Sequence, residues 1–132
     1  MSEMRVLIVD DEEDMRALVR ATIEIADEGL TVAAEAADGE TAVSIVRSEH
    51  PEVVVLDHRM PGISGLDTAR RILAEHPEQA IVLFSSFLDR DVVRAAQRMG
   101  VRMCLAKDDI RRLPDVIWGT EPDDTPRGGG LV

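Results

Sequence analysis

The chain holds one cysteine, no tyrosine, two phenylalanines and one tryptophan in 132 residues. A single cysteine, Cys104, excludes an intrachain disulfide and points to a reducing compartment. With aromatics at 2%, the core has to be built from Val, Ile, Leu, Ala and Met. No stretch approaches the roughly 18 apolar residues of a membrane span. The opening "MSEMRVLIVDD" turns acidic too early for a secretion signal. Positive charge is scarce: 15 basic residues face 26 acidic ones, for a net charge of −11. That balance argues against a whole-surface affinity for nucleic acid or anionic membranes. These absences predict a soluble cytoplasmic domain with no membrane partner. Hydrophobic residues make up 45% of the chain, enough for one core at this length.

What is present is an alternation. "VLIV" (6–9) reads as a buried strand, and Met15, Leu18, Val19, Thr22 and Ile23 then recur at helical spacing. "LTVAAEA" (30–36), "VVVL" (53–56), "AIVLF" (80–84) and "VRMCLA" (101–106) are the other strand candidates. Between them run helical stripes: Ala42, Val43 and Val46; Leu66, Ala69, Ile72 and Leu73; Val92, Val93, Ala96 and Met99. Asp38-Gly39 marks a turn in which Asp38 is an N-cap, and Gly100 a helix C-cap. A last helix is expected within roughly 109–119, with Pro114 inside it. Five apolar strands alternating with five helices predict an α/β, doubly wound parallel sheet with both faces covered. The expected domain spans 1–119. Residues 120–132, rich in Pro, Gly and acid, read as a flexible tail or truncated linker.

In an open parallel sheet, ligands bind outside the carboxyl ends of the strands. Asp10 and Asp11 follow the first strand, Asp57 the third, Ser85 and Ser86 the fourth, Lys107 the fifth. Glu12, Glu13 and Asp14 instead suit the N-terminus of the following helix. Clustered carboxylates repel one another. A hard cation such as Mg²⁺ relieves that repulsion while leaving room for a phosphoryl group. An aspartate can act as the nucleophile that forms an acyl phosphate. Lys107 would offset the charge of the transferred group, and the Ser85 hydroxyl could donate to it. A strand-end Asp is often only a helix cap, a reading that stays open for Asp11 taken alone. Asp57 resists it, because the loop "HRMPGISG" follows rather than a helix. Cys104, mid-strand, reads as structural rather than redox-active.

These residues resemble the receiver domain of bacterial two-component response regulators over about residues 4–119. The match rests on the acidic pair of "LIVDDEED", Asp57 in "VVVLDHRMPGISG", Ser85 in "IVLFSS" and Lys107 in "CLAKDD". The resemblance implies a flavodoxin-like (βα)5 fold with strand order 2-1-3-4-5. It implies that Asp57 accepts a phosphoryl group from a histidine kinase, a phosphotransfer protein or a small donor such as acetyl phosphate. Mg²⁺ would be held by Asp11, Asp57 and the backbone carbonyl of Arg59, with Asp10 acting through water. Output would pass through the face made by the fourth helix, fifth strand and fifth helix, to a downstream partner, an own output domain or a second copy of the chain. Two positions depart from the family: Cys104 stands where an aromatic is usual, and Asp108 where Pro is common after the lysine.

A haloacid-dehalogenase-type phosphatase would want D-x-D after the first strand, where this chain has adjacent acids. A flavodoxin would want a Ser/Thr/Gly-rich first loop to cradle phosphate. A receiver-like module that is never phosphorylated, and the regulatory half of a DNA-binding regulator, remain the alternatives; no helix-turn-helix follows in these 132 residues, so no nucleic-acid binding by this chain is expected. The chain is expected to catalyse only its own phosphoryl transfer, not a metabolic reaction. Residues 88–112 carry seven basic and four acidic residues. Arg90, Arg94 and Arg98 form a stripe read as a solvated face paired to Asp89 and Asp91, with a partner-docking face as the sharper reading.

Overall fold

The computed structural model describes residues 3–26 and 29–121. The strands are β1 (Met4–Val9), β2 (Leu30–Ala36), β3 (Val53–Leu56), β4 (Ala80–Ser85) and β5 (Met103–Ala106). They form one sheet in the order β2-β1-β3-β4-β5, and all four pairings are parallel. The helices are α1 (Glu13–Ala26), α2 (Gly39–Glu49), α3 (Gly65–Glu75), α4 (Arg90–Met99) and α5 (Leu113–Gly119). The doubly wound α/β architecture and its strand order are those expected from the sequence.

Strand alternation divides the core in two. Val6, Ile8, Val53, Val55, Val82 and Phe84 face Val19 and Ile23 of α1 and Leu113, Val116 and Ile117 of α5. Leu7, Val9, Val54, Leu56, Ile81 and Leu83 face α2, α3 and α4 on the other side. The central strands are apolar throughout because helices cover both faces. That explains how so few aromatics suffice: Phe84, at 2% exposure, is the largest fully buried side chain.

Helix boundaries follow local chemistry. Asp38, Ser64 and Asp89 cap α2, α3 and α4 by accepting N–H donors from Thr41, Asp67 and Val92. Gly100 closes α4 in the left-handed region at φ 107°. One expected boundary is corrected. The fifth strand begins at Met103 rather than Val101, because Val101 N–H still bonds to the α4 carbonyl of Ala96. The last helix falls within the expected 109–119 and fills only its latter part. A 3-10 helix (Lys107–Arg112) comes first, and α5 restarts at Leu113 with Pro114 in its first turn. Pro lacks an N–H, which that turn does not need.

Register sets the site. Val9 pairs with Leu56, and Leu56 with Leu83, so β1 and β3 end level. Their ladder continues one residue further: Asp57 N–H bonds to the Val9 carbonyl at 3.0 Å, and Asp10 N–H to the Ala36 carbonyl at 3.1 Å. The two aspartates are thus held by the sheet, not by loops.

An acid and lysine cleft at the carboxyl edge of the sheet

Asp10 and Asp57 are buried, at 3% and 6% exposure, while Asp11 is exposed. Lys107 reaches in from the end of β5. Its Nζ lies 2.8 Å from Asp10 Oδ2 and 3.2 Å from Asp57 Oδ2. The remaining oxygens are tied to backbone: Asp10 Oδ1 accepts from Glu12 N–H at 2.9 Å, and Asp57 Oδ1 from His58 N–H at 2.8 Å. Asp10, Asp11 and Asp57 each present one carboxylate oxygen within 4.8 Å of the others. Hard oxygen donors in this number suit Mg²⁺ completed by water or a phosphoryl group, so the residues present fit that ion.

The charges here are unevenly balanced. Burial raises the pKa of Asp57, as does the neighbouring charge of Asp10, and Lys107 only partly offsets them. Burial acts to lower the Lys107 pKa, but its hydrogen bond to Asp10 and the charges of Asp57 and Asp10 prevail and raise it. Lys107 is thus a fixed cation, closer to Asp10, and Asp57 is the carboxylate left under-compensated.

Other residues shape the cleft. A Cβ on Gly65 would collide with the Asp57 carbonyl oxygen and come within 2.6 Å of His58 Cα. Gly65 N–H also bonds to the His58 carbonyl at 2.7 Å, so the 58–64 loop folds back tightly behind Asp57. Arg16 on α1 donates to the Asp10 carbonyl at 2.7 Å and to Glu35 at 3.0 Å, bracing the β1–α1 turn. The cleft itself is lined by Asp11, Glu12, Asp57, Arg59, Ser86, Phe87 and Lys107.

Asp10, Asp11, Asp57 and Lys107 therefore meet as the sequence suggests, and Arg59 lines the same cleft. Ser85 differs. It is the buried last residue of β4, and its Oγ accepts the Phe87 N–H at 3.1 Å; Ser86 rather than Ser85 lines the cleft. Arg16 and Phe87 were not singled out from the sequence. Phe87 carried a usable signal, as one of two phenylalanines, directly after the strand-end serines. Cys104 is half-buried, and burial pushes its thiol pKa up, in keeping with the structural reading. The Arg stripe of α4 is exposed. Asp89 serves as the α4 cap, and among the described residues Arg90, Arg94 and Arg98 form none of the expected ion pairs.

At about 230 Å³, the cleft is below the roughly 300–1,000 Å³ of sites for drug-sized ligands. Sheet, acids and lysine thus define an α/β domain with a small acidic cleft at the carboxyl edge of its strands. A family model for the response regulator receiver domain matches residues 6–117, and the chain belongs to that family. It is a receiver domain, a phosphorylation-controlled signalling switch. Receiver domains in general bind Mg²⁺ at an acidic pocket and interact with histidine kinases and output domains.

Among curated relatives, protein-glutamate methylesterase/protein-glutamine glutaminase 4 of Myxococcus xanthus is 34% identical over 126 residues, covering 86% of this chain and 35% of that protein. Protein CcdB of Bacillus subtilis is 32% identical over 103 residues, covering 78% of this chain and 84% of that protein. The chain spans 21–35% of the methylesterase relatives it matches. The signal receiver domain of the putative response regulator NarL from Mycobacterium tuberculosis superposes with a TM-score of 0.80 at 27% identity, over 90% of this chain and 99% of that one. The response regulator domain of Thermotoga maritima CheB gives a TM-score of 0.83 at 23% identity, over 89% and 96%, a likeness of fold. Among the described residues, no helix is long and apolar enough to cross a membrane.

Proposed function

We propose that Asp57 is the phosphoacceptor of this receiver. The observation that carries the reading is a buried carboxylate under-compensated by Lys107 and flanked by two further acids at one sheet edge. Asp57 is the nucleophile. One of its carboxylate oxygens attacks the donor phosphorus as the bond to the donor nitrogen or oxygen breaks, leaving an acyl phosphate. Lys107 then balances charge on the transferred group. Ser85 joins by turning its hydroxyl from the Phe87 amide toward a phosphoryl oxygen. Asp11, Asp57 and the Arg59 backbone carbonyl are the metal ligands, with Asp10 acting through water. Bound Mg²⁺ supplies neutralisation of the carboxylates and of the phosphoryl oxygens.

The donor is a histidine kinase, a phosphotransfer protein or a small phosphodonor such as acetyl phosphate. Output passes through the α4–β5–α5 face to a downstream protein, an attached output domain or a second copy of the chain, in the cytoplasm. The receiver unit ends near residue 119, with 120–132 as linker; residues 122–132 lie outside the described residues. The chain has no metabolic activity and contacts no nucleic acid itself. The test is incubation with Mg²⁺ and acetyl phosphate, comparing the wild type with Asp57→Ala. A base-labile phosphate that needs Mg²⁺ and disappears in the variant is expected. Label retained in Asp57→Ala would refute the assignment.

A further inference from the structure

Asp10 is tied down at every polar group it has. Its N–H bonds to the Ala36 carbonyl at 3.1 Å. Its Oδ1 accepts from Glu12 N–H at 2.9 Å, and its Oδ2 from Lys107 at 2.8 Å. Its carbonyl accepts from Arg16 Nη1 at 2.7 Å. Asp11, by contrast, belongs to neither β1 nor α1 and is exposed. Yet one of its carboxylate oxygens lies within 4.8 Å of those of Asp10 and Asp57. The Arg16 guanidinium is itself fixed from the far side. Its Nε donates to Glu35 Oε1 on β2 at 3.0 Å, and Arg20 donates to the other Glu35 oxygen at 2.8 Å. The Arg16 side chain is only 17% exposed, and charge-assisted bonds of this kind are the strong ones.

We infer that Arg16, held by Glu35, is a positioning residue that aims the Asp11 carboxylate into the cleft and so sets the Mg²⁺ affinity of the site. The inference rests on the assignment of Asp11 as a metal ligand. The peptide unit is planar. A bond to the Asp10 carbonyl therefore also fixes the Asp11 N–H, and with it the direction in which the Asp11 side chain leaves the backbone. Without that bond the exposed acid gains orientations toward solvent, which metal binding has to reverse.

Charge and position predict opposite signs. A guanidinium near a cation site repels the cation, so on charge alone the loss of Arg16 would tighten Mg²⁺ binding. Loss of a positioning residue weakens it. Groups that orient metal ligands typically change affinity by roughly ten- to a hundredfold. Arg16 acts through the backbone, so Arg16→Met should weaken Mg²⁺ binding about tenfold, read by calorimetric titration of the metal-free protein. Glu35→Ala leaves Arg16 bonded to Asp10 and should weaken it by about threefold. Combined with Arg16→Met it should add nothing, because Glu35 acts only through Arg16. In labelling by acetyl phosphate, the Mg²⁺ concentration for half-maximal rate should rise about tenfold in Arg16→Met, with the rate at saturating Mg²⁺ within about twofold of wild type. Wild-type or tighter Mg²⁺ binding in Arg16→Met, additive effects in the double variant, or a lowered saturating rate at unchanged half-saturation would leave Arg16 a structural brace and overturn the inference alone. If Arg16→Met does not fold, the Glu35→Ala titration decides, and unchanged binding there overturns it. Asp11→Ala should lose Mg²⁺ binding. If it binds as the wild type does, the ligand assignment fails, and the inference with it.

Discussion

Replacing Asp57 with Asn should stabilise the metal-free fold. Asp57 and Asp10 present carboxylate oxygens within 4.8 Å of each other, and Lys107 stands 3.2 Å from Asp57. The ammonium outweighs the Asp10 charge, but the loss of hydration on burial is larger than either and leaves the ionised Asp57 disfavoured on balance. Removing that charge should gain about 1–2 kcal/mol. Asn keeps the shape, and its carbonyl oxygen can still accept the His58 N–H. For a domain of this size the gain corresponds to roughly 3–8 °C in Tm, measured by thermal unfolding in EDTA. The sign with pH follows from the raised pKa of Asp57, caused first by burial and then by Asp10, with Lys107 opposing. The folded state holds this proton to higher pH than the unfolded one. Wild-type stability from this group therefore rises as pH falls through the folded pKa, and is fully present below the unfolded value of 3.8. The advantage of Asp57→Asn should shrink along the same path. It should also shrink on adding Mg²⁺, which binds the wild type more tightly. A variant less stable than wild type in EDTA, or an equal Mg²⁺ response in both proteins, would refute the electrostatic reasoning.

Further outcomes follow from single contacts. Gly65→Ala places a methyl against the Asp57 carbonyl oxygen, so it should cost about 1–3 kcal/mol in denaturant unfolding and weaken Mg²⁺ binding by displacing Asp57. Asp89→Ala removes the α4 cap and should cost about 1 kcal/mol, leaving Mg²⁺ affinity unchanged. Cys104, half-buried with its pKa raised by burial, should react with a thiol reagent at pH 8 far more slowly than in the urea-unfolded chain. Equal rates would remove the structural reading of that thiol.

The sequence was legible where one residue's chemistry decides the outcome. "VVVL" could only be a covered strand, and the Asp38 and Gly100 caps act within one turn of their helices. Asp10, Asp57 and Lys107 were legible because a parallel sheet leaves strand ends on one edge, whatever the loops do. Contacts between loops were not. The stacking of Arg59 on the Phe87 ring depends on the relative height of two turns, and the Arg16 bond to Asp10 on how α1 packs over β2. The 3-10 helix ahead of α5 was missed because "KDDIRR" carries no breaker of its own; Pro114 acts on it from the following turn. Ser85 was assigned from its strand-end position, but its hydroxyl is held by the Phe87 amide, a local bond invisible in spacing.

The most direct test of the central assignment is a crystal structure of the chain with Mg²⁺ and beryllofluoride, a mimic of the phosphoryl group. The expected result is beryllium bonded to a carboxylate oxygen of Asp57, its fluorides facing Lys107 and Ser85, and a metal touching Asp11, Asp57 and the Arg59 carbonyl. Beryllofluoride on another residue, or a metal bound away from these acids, would contradict it.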